Sequence, residues 1–154
     1  MEEILGNIYS LADSFYGKPL SEYLWGYNCE AQDYSGELVY NQIGIIALAF
    51  AIIVPPLYYY VWNPVRNQQF KYWGLMLITA FINLLIAYFM ISSDKDNGHI
   101  GDCLLYDDKG NSIIDMMNIV AFGCVNAIFT AILFFVFSML FYKWGSKTVK
   151  HYPF

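Results

Sequence analysis

The chain holds only two histidines and three cysteines, and its three long apolar runs carry no charged residue in their interiors. Each scarcity argues against a class of function. Proton relays and ion-coupled carriers set ionisable side chains at depth within a span, and many carriers show internal repeats with interrupted helices; neither feature is present, so a coupled transporter is not expected. His99 and His151 fall on opposite sides of the membrane in the topology given below, which removes a two-histidine metal or haem site. No G-x-S-x-G, Walker A or HExxH pattern occurs. Asp102, Asp107 and Asp108 lack the spacing and terminal Glu of an EF-hand and read as a solvated turn. Cys124 has no histidine or charge near it and is expected to be a small buried apolar residue rather than a nucleophile. The chain is therefore expected to be non-enzymatic, with no metal and no cofactor. At a net charge of −5 no nucleic-acid partner is expected. Met1-Glu2-Glu3 lacks the positive start of a cleavable signal, and neither residue two nor the His151-Tyr152-Pro153-Phe154 ending offers a lipidation motif.

What the chain has in abundance is apolar surface. Hydrophobic residues make up 58% of it, against roughly 45–50% in soluble domains. Three runs, at about 42–62, 72–91 and 113–142, are long enough to span a bilayer as helices, the form that satisfies every backbone N–H and C=O inside lipid. The sequence thus predicts an all-α integral membrane protein. Three transmembrane helices carry a small outer cap of short amphipathic helices and a hairpin-like loop. Residues 1–40 form the cap, and 41–154 the three-helix domain with its loop at 92–112 and a basic tail at 143–154.

The third run has the clearest face. Gly123, Ala127 and Ala131 recur every four residues with Asn126 and Thr130 beside them, while Phe129, Leu133, Phe135, Val136 and Met139 fall on the other side. Small residues permit close backbone approach, and amides bond across helices. The second run repeats the pattern with Ala80, Asn83 and Ala87. Counted inward from the outer face at 1.5 Å per residue, Asn83 and Asn126 lie at similar depth and are expected to face each other. In the first run Pro55-Pro56 removes consecutive donors and predicts a kink or an end to the regular helix. Tyr58, Tyr59, Tyr60 and Trp62 then read as interface anchors.

Ahead of the spans, Ile4, Ile8, Leu11 and Phe15 recur at helical spacing, widened by Leu5, Ala12 and Tyr16, with acids on the polar face. This predicts a short amphipathic helix that docks on the protein's own outer surface through that stripe and ends at Gly17. A second helix is expected from Pro19 to Trp25, followed by a loop containing Cys29. Between the second and third spans, the stretch from Cys103 through Asp107-Asp108-Lys109-Gly110-Asn111 predicts a tight turn.

Charge sets the orientation. All thirteen acids lie before the first span or between the second and third. Arg66, Lys71, Lys143, Lys147 and Lys150 lie on the opposite side. The positive-inside rule then puts the 63–71 loop and the carboxy terminus in the cytoplasm and the amino terminus outside, in a bacterial inner membrane or a plasma membrane. Cys29 and Cys103 occupy the two outer segments and are expected to form a disulfide. The cap combines negative charge with aromatic residues, the latter a type enriched at binding surfaces. Tyr23, Trp25, Tyr27, Asp107 and Asp108 are the candidate contacts for a partner protein. Beyond the lipid bilayer, the expected function is a protein–protein contact, as an accessory subunit or a toxin-neutralising immunity-type partner. The alternative is a homo-oligomeric pore or membrane-disrupting effector built on the Asn126 face.

Overall fold

Three short helices, α1 (Glu2–Ser10), α2 (Asp13–Tyr16) and α3 (Lys18–Leu24), precede a long one, α4 (Val39–Pro56). Two more long helices, α5 (Gln68–Asp96) and α7 (Met116–Gly145), flank the four-residue α6 (Asp102–Leu105). The computed structural model describes residues 2–62, 68–107 and 109–145, with side chains over 5–61, 69–107 and 109–140. Arg66, Asp108, Lys147 and Lys150 lie outside the described residues, as do the side chains of Ile4, Trp62 and Lys143. No strand occurs among the described residues, and three helices are long and apolar enough to cross a membrane. The all-α architecture, with three spans and short amino-terminal helices, is the one expected.

The helix ends differ from the apolar runs for identifiable reasons. Regular α-helix in the first span stops at Pro56, but the chain does not break; Leu57–Trp62 continues as a π-helix. Two missing donors and two rings crowding the preceding turn are accommodated by the wider i→i+5 pattern. Tyr58 and Tyr59 are not interface anchors. They pack inside the bundle with Tyr72 and Phe134, and Tyr60 faces outward. α5 runs on to Asp96 instead of ending at Ile91, because residues past the apolar run find partners in the cap: Asp94 accepts the Tyr23 hydroxyl (2.7 Å) and Lys95 Nζ donates to the Ile114 carbonyl (2.6 Å). α7 starts at Met116 instead of Ile113. Asp115 precedes it with its own N–H bonded to Asn118 Oδ1 (3.3 Å), half of a capping box, so Ile113 and Ile114 belong to the loop.

α5 and α7 make the most extensive contact. Their small faces meet: Ala80, Asn83, Ala87, Asn126 and Thr130 are buried, and Ala127 is half-buried. A Cβ on Gly123 would sit 3.3 Å from the Leu84 carbonyl oxygen, so glycine there sets how near the two backbones come. The two asparagines meet, though not side chain to side chain. Asn126 Nδ2 donates to the Asn83 main-chain carbonyl (3.0 Å), while Asn83 Nδ2 turns back to the Thr79 carbonyl (3.1 Å). Phe129 is not on the outer face; its ring lies edge-on to Tyr9.

Tyr9 is the unexpected part of this layer. Its hydroxyl donates to Asn126 Oδ1 at 2.6 Å, and its ring packs among Tyr40, Phe122 and Phe129. The amino-terminal helix therefore docks on the bundle through Leu5, which a Cβ on Gly44 would touch at 2.9 Å, and through Tyr9 and Tyr16. The predicted stripe divides: Leu5 and Tyr16 face inward and Ala12 packs against the core, whereas Ile8, Leu11 and Phe15 are 40%, 85% and 75% exposed. The apolar periodicity marked only part of the inner face, and Tyr9, whose hydroxyl has a partner, completes it. Gly17, at φ +92°, turns the chain between α2 and α3 where Asn118 Nδ2 donates to the Tyr16 carbonyl (2.8 Å).

This geometry changes which residues should couple. Tyr9→Phe and Asn126→Leu, combined, should cost less than the sum of the two alone in detergent Tm measurements. The shortfall corresponds to about 0.6 kcal/mol, the average for an interhelical hydrogen bond in a membrane protein. Asn83→Leu leaves its own carbonyl in place, so it should couple to Asn126→Leu more weakly than Tyr9→Phe does.

Candidate functional site

The cap is knitted by tyrosine hydroxyls. Tyr16 Oη lies 2.7 Å from Asp13 Oδ1, 2.6 Å from Tyr40 Oη and 2.9 Å from the Tyr9 carbonyl, and Tyr40 Oη lies 3.1 Å from Ser21 Oγ. Burial first, then the bonds to Tyr40 and Asp13, hold the Tyr16 phenol neutral far above its ordinary range. These groups are internal and fix the platform on which an outer cleft sits.

That cleft, of about 680 Å³, lies over the ends of α3, α4 and α5 on the cap side of the bundle. Its acids are Glu30, Glu37 and Asp94, and no Lys or Arg among the described residues lines it. Glu37 accepts the Gln42 amide (2.8 Å), and His99 Nδ1 lies 3.3 Å from Asp94 Oδ1, an ion pair when the imidazole is protonated. Tyr27 stands at its edge, ring against Tyr34. Cys29 is joined to Cys103 on the cleft wall with Cα atoms 6.0 Å apart, and a Cβ on Gly101 would overlap the Cys29 sulfur, so only glycine fits there. The pairing ties the 27–36 loop to α6.

The candidate contacts separate. Tyr27 lines the cleft, and Trp25 is half-buried, edge-on to Tyr40 and over Gly6. Tyr23 also lines the cleft, 8% exposed and with its hydroxyl donated to Asp94. Asp107 is exposed but accepts the Lys109 and Asn111 N–H groups, both at 2.8 Å, and these bonds hold its carboxyl below the usual range. It closes the turn whose ends meet as the Tyr106–Ser112 bridge, the hairpin-like feature expected. Asp108 lies outside the described residues. Sequence reading missed Glu30, Glu37, Asp94 and His99 as a group; adjacency of Glu30 to Cys29, and of Asp94 and His99 to Cys103 across the loop, was the available signal. Cys124 is exposed, not buried, on the outward side of α7. No group of metal-ligating side chains occurs among the described residues.

Comparison with protein-family models, curated proteins and solved structures finds no match to this chain.

Two outcomes follow. In the native protein only Cys124 should react with a thiol reagent before reduction and all three cysteines after it; Cys29→Ser should lower stability by about 2 kcal/mol, the low end for a disulfide, because α4 and α5 already hold its ends near each other. Burial, then the Asp94 bond and charge, raise the Tyr23 pKa above its ordinary 10.0. The folded value exceeds the unfolded one, so this stabilisation is complete below about pH 10 and lost as pH rises through the folded value. A series of Tm values into strong alkali should fall less steeply for Tyr23→Phe than for the native chain.

Proposed function

We propose that this chain is an integral membrane protein that performs no catalysis and acts by binding another protein through the acidic cleft of its cap. The cap faces out, in a bacterial inner membrane or a plasma membrane, because Lys and Arg gather at the other end of the spans. The observation that carries the reading is the cleft itself. Glu30, Glu37 and Asp94 converge without a countering Lys or Arg on a wall fixed by the disulfide. Such an arrangement steers a basic partner and meets it with little loss of conformational freedom. An accessory subunit of a membrane complex, or an immunity-type protein that neutralises a toxin, would act through such a surface.

The pore reading has less support. It needs Gly123, Asn126, Ala127 and Thr130 to face a lumen, whereas both ends of the Asn126 amide are engaged within the chain and Thr130 bonds the Asn126 carbonyl (2.8 Å).

The test is affinity purification from the native membrane in mild detergent, through a carboxy-terminal tag, with the particle mass determined. A stoichiometric second protein is expected. Glu30→Lys with Glu37→Lys should reduce its recovery at least tenfold, and moderate salt should weaken it for the native chain. A ring of identical chains with no second protein would reject the partner reading.

A further inference from the structure

The amino-terminal segment does not sit above the bundle. It descends along α7: the Tyr16 carbonyl is level with Asn118, Ala12 and Phe15 stand beside Ala121, Cys124, Val125 and Ile128, and Tyr9 reaches Asn126. Cys124 lies eight positions past Met116, about 12 Å along the axis, on a thirty-residue helix far longer than the ~30 Å hydrocarbon layer. Where α2 and α7 diverge they leave a groove of about 350 Å³ lined by Ala12, Phe15, Ala121, Cys124, Val125 and Ile128. Among the described residues, no charged, hydroxyl or amide side chain lines it. Since one water takes up about 30 Å³, the groove has room for a chain of atoms, and water in it would find no polar partner. Of its lining, Phe15 and Ile128 are exposed, as are Leu11 beside Ala12 in the chain and Ile132 one turn along α7, a helix apolar enough to cross a membrane. At this depth the surrounding solvent is lipid.

We propose that this groove is a lipid site, holding one acyl chain of a phospholipid from the leaflet on the cap side, with α1 and α2 embedded in that leaflet. The site is separate from the acidic cleft and independent of any protein partner. Its occupant is recognised by shape and apolarity, so many headgroups are accepted. Phe15 covers the chain on one side and the backbone of α7 near Ala121 backs it on the other.

Native mass spectrometry of the protein released from phosphatidylcholine nanodiscs reads the site directly. One phospholipid should be retained per native chain. Cys124→Trp, which fills the groove, should reduce retention at least fivefold with Tm preserved. If that variant fails to fold, the folded native protein alkylated at Cys124 with N-benzylmaleimide fills the same space and should show the same loss. Lipid-free native chains, or equal retention after the groove is filled, would overturn the proposal. So would a two-chain particle that separates when the groove is filled, which would make the occupant a second copy. A spin label at Phe15→Cys, in a Cys124→Ser background, should be reached by oxygen and shielded from a water-soluble nickel chelate; the reverse holds for Tyr34→Cys on the outer loop.

Discussion

A primary amide placed in an apolar layer must bond at both ends or destabilise the fold by the desolvation of whichever end is left over. Asn126 satisfies that requirement with groups from two other parts of the chain: its nitrogen takes the Asn83 carbonyl of α5 and its oxygen takes the Tyr9 hydroxyl of α1. The first bond requires the backbones of α5 and α7 to approach closely, which Gly123, Ala80 and Ala87 allow. The second draws the amino-terminal helix into the bundle. Helix pairing and cap placement are thus two consequences of one side chain.

The rest of the cap follows from where Tyr9 goes. Once its ring is held among Phe122, Phe129 and Tyr40, the Tyr9 carbonyl faces Tyr16, whose hydroxyl meets Asp13 and Tyr40. Asn118 serves twice, starting α7 through the Asp115 N–H and holding the Tyr16 carbonyl. This platform fixes α3, and α3 brings Tyr23 to Asp94. The acidic cleft therefore rests on a chain of hydroxyl and amide bonds rather than on loops alone, and the disulfide closes its open edge.

How much of this could be read from the sequence depended on the kind of signal. The spans were plain in the apolar runs, since lipid imposes length and composition together, and the small-residue faces at Ala80, Asn83 and Ala87 and at Gly123, Asn126 and Thr130 were plain because close packing imposes a period. The two cysteines stood out by being in the only two outer segments. Hydrophobicity failed where polarity and burial go together. Leu11 and Phe15 rank above Tyr9 and Tyr16 on any apolar scale, yet the tyrosines are inside, because only they can fill space and also satisfy an amide and a carboxylate. Helix ends were missed for a related reason: Asp94 and Lys95 look like loop residues until Tyr23 and the Ile114 carbonyl are placed beside them. The cleft was missed because its acids come from two distant segments, the loop between α3 and α4 and the end of α5, and no local spacing links them.

The disulfide joins residues 74 positions apart, and between them the chain passes along both α4 and α5. The covalent ring therefore encloses an entire helical hairpin. It can close only once the chain has run along α4 and back along α5, bringing Cys103 to the end of the hairpin where Cys29 lies. Until then the 27–36 loop stays untethered and the cleft has one wall missing. The pairing therefore reports on the whole hairpin: Cys29 and Cys103 come within bonding reach only when α4 and α5 lie side by side, so the bond marks both helices as in place.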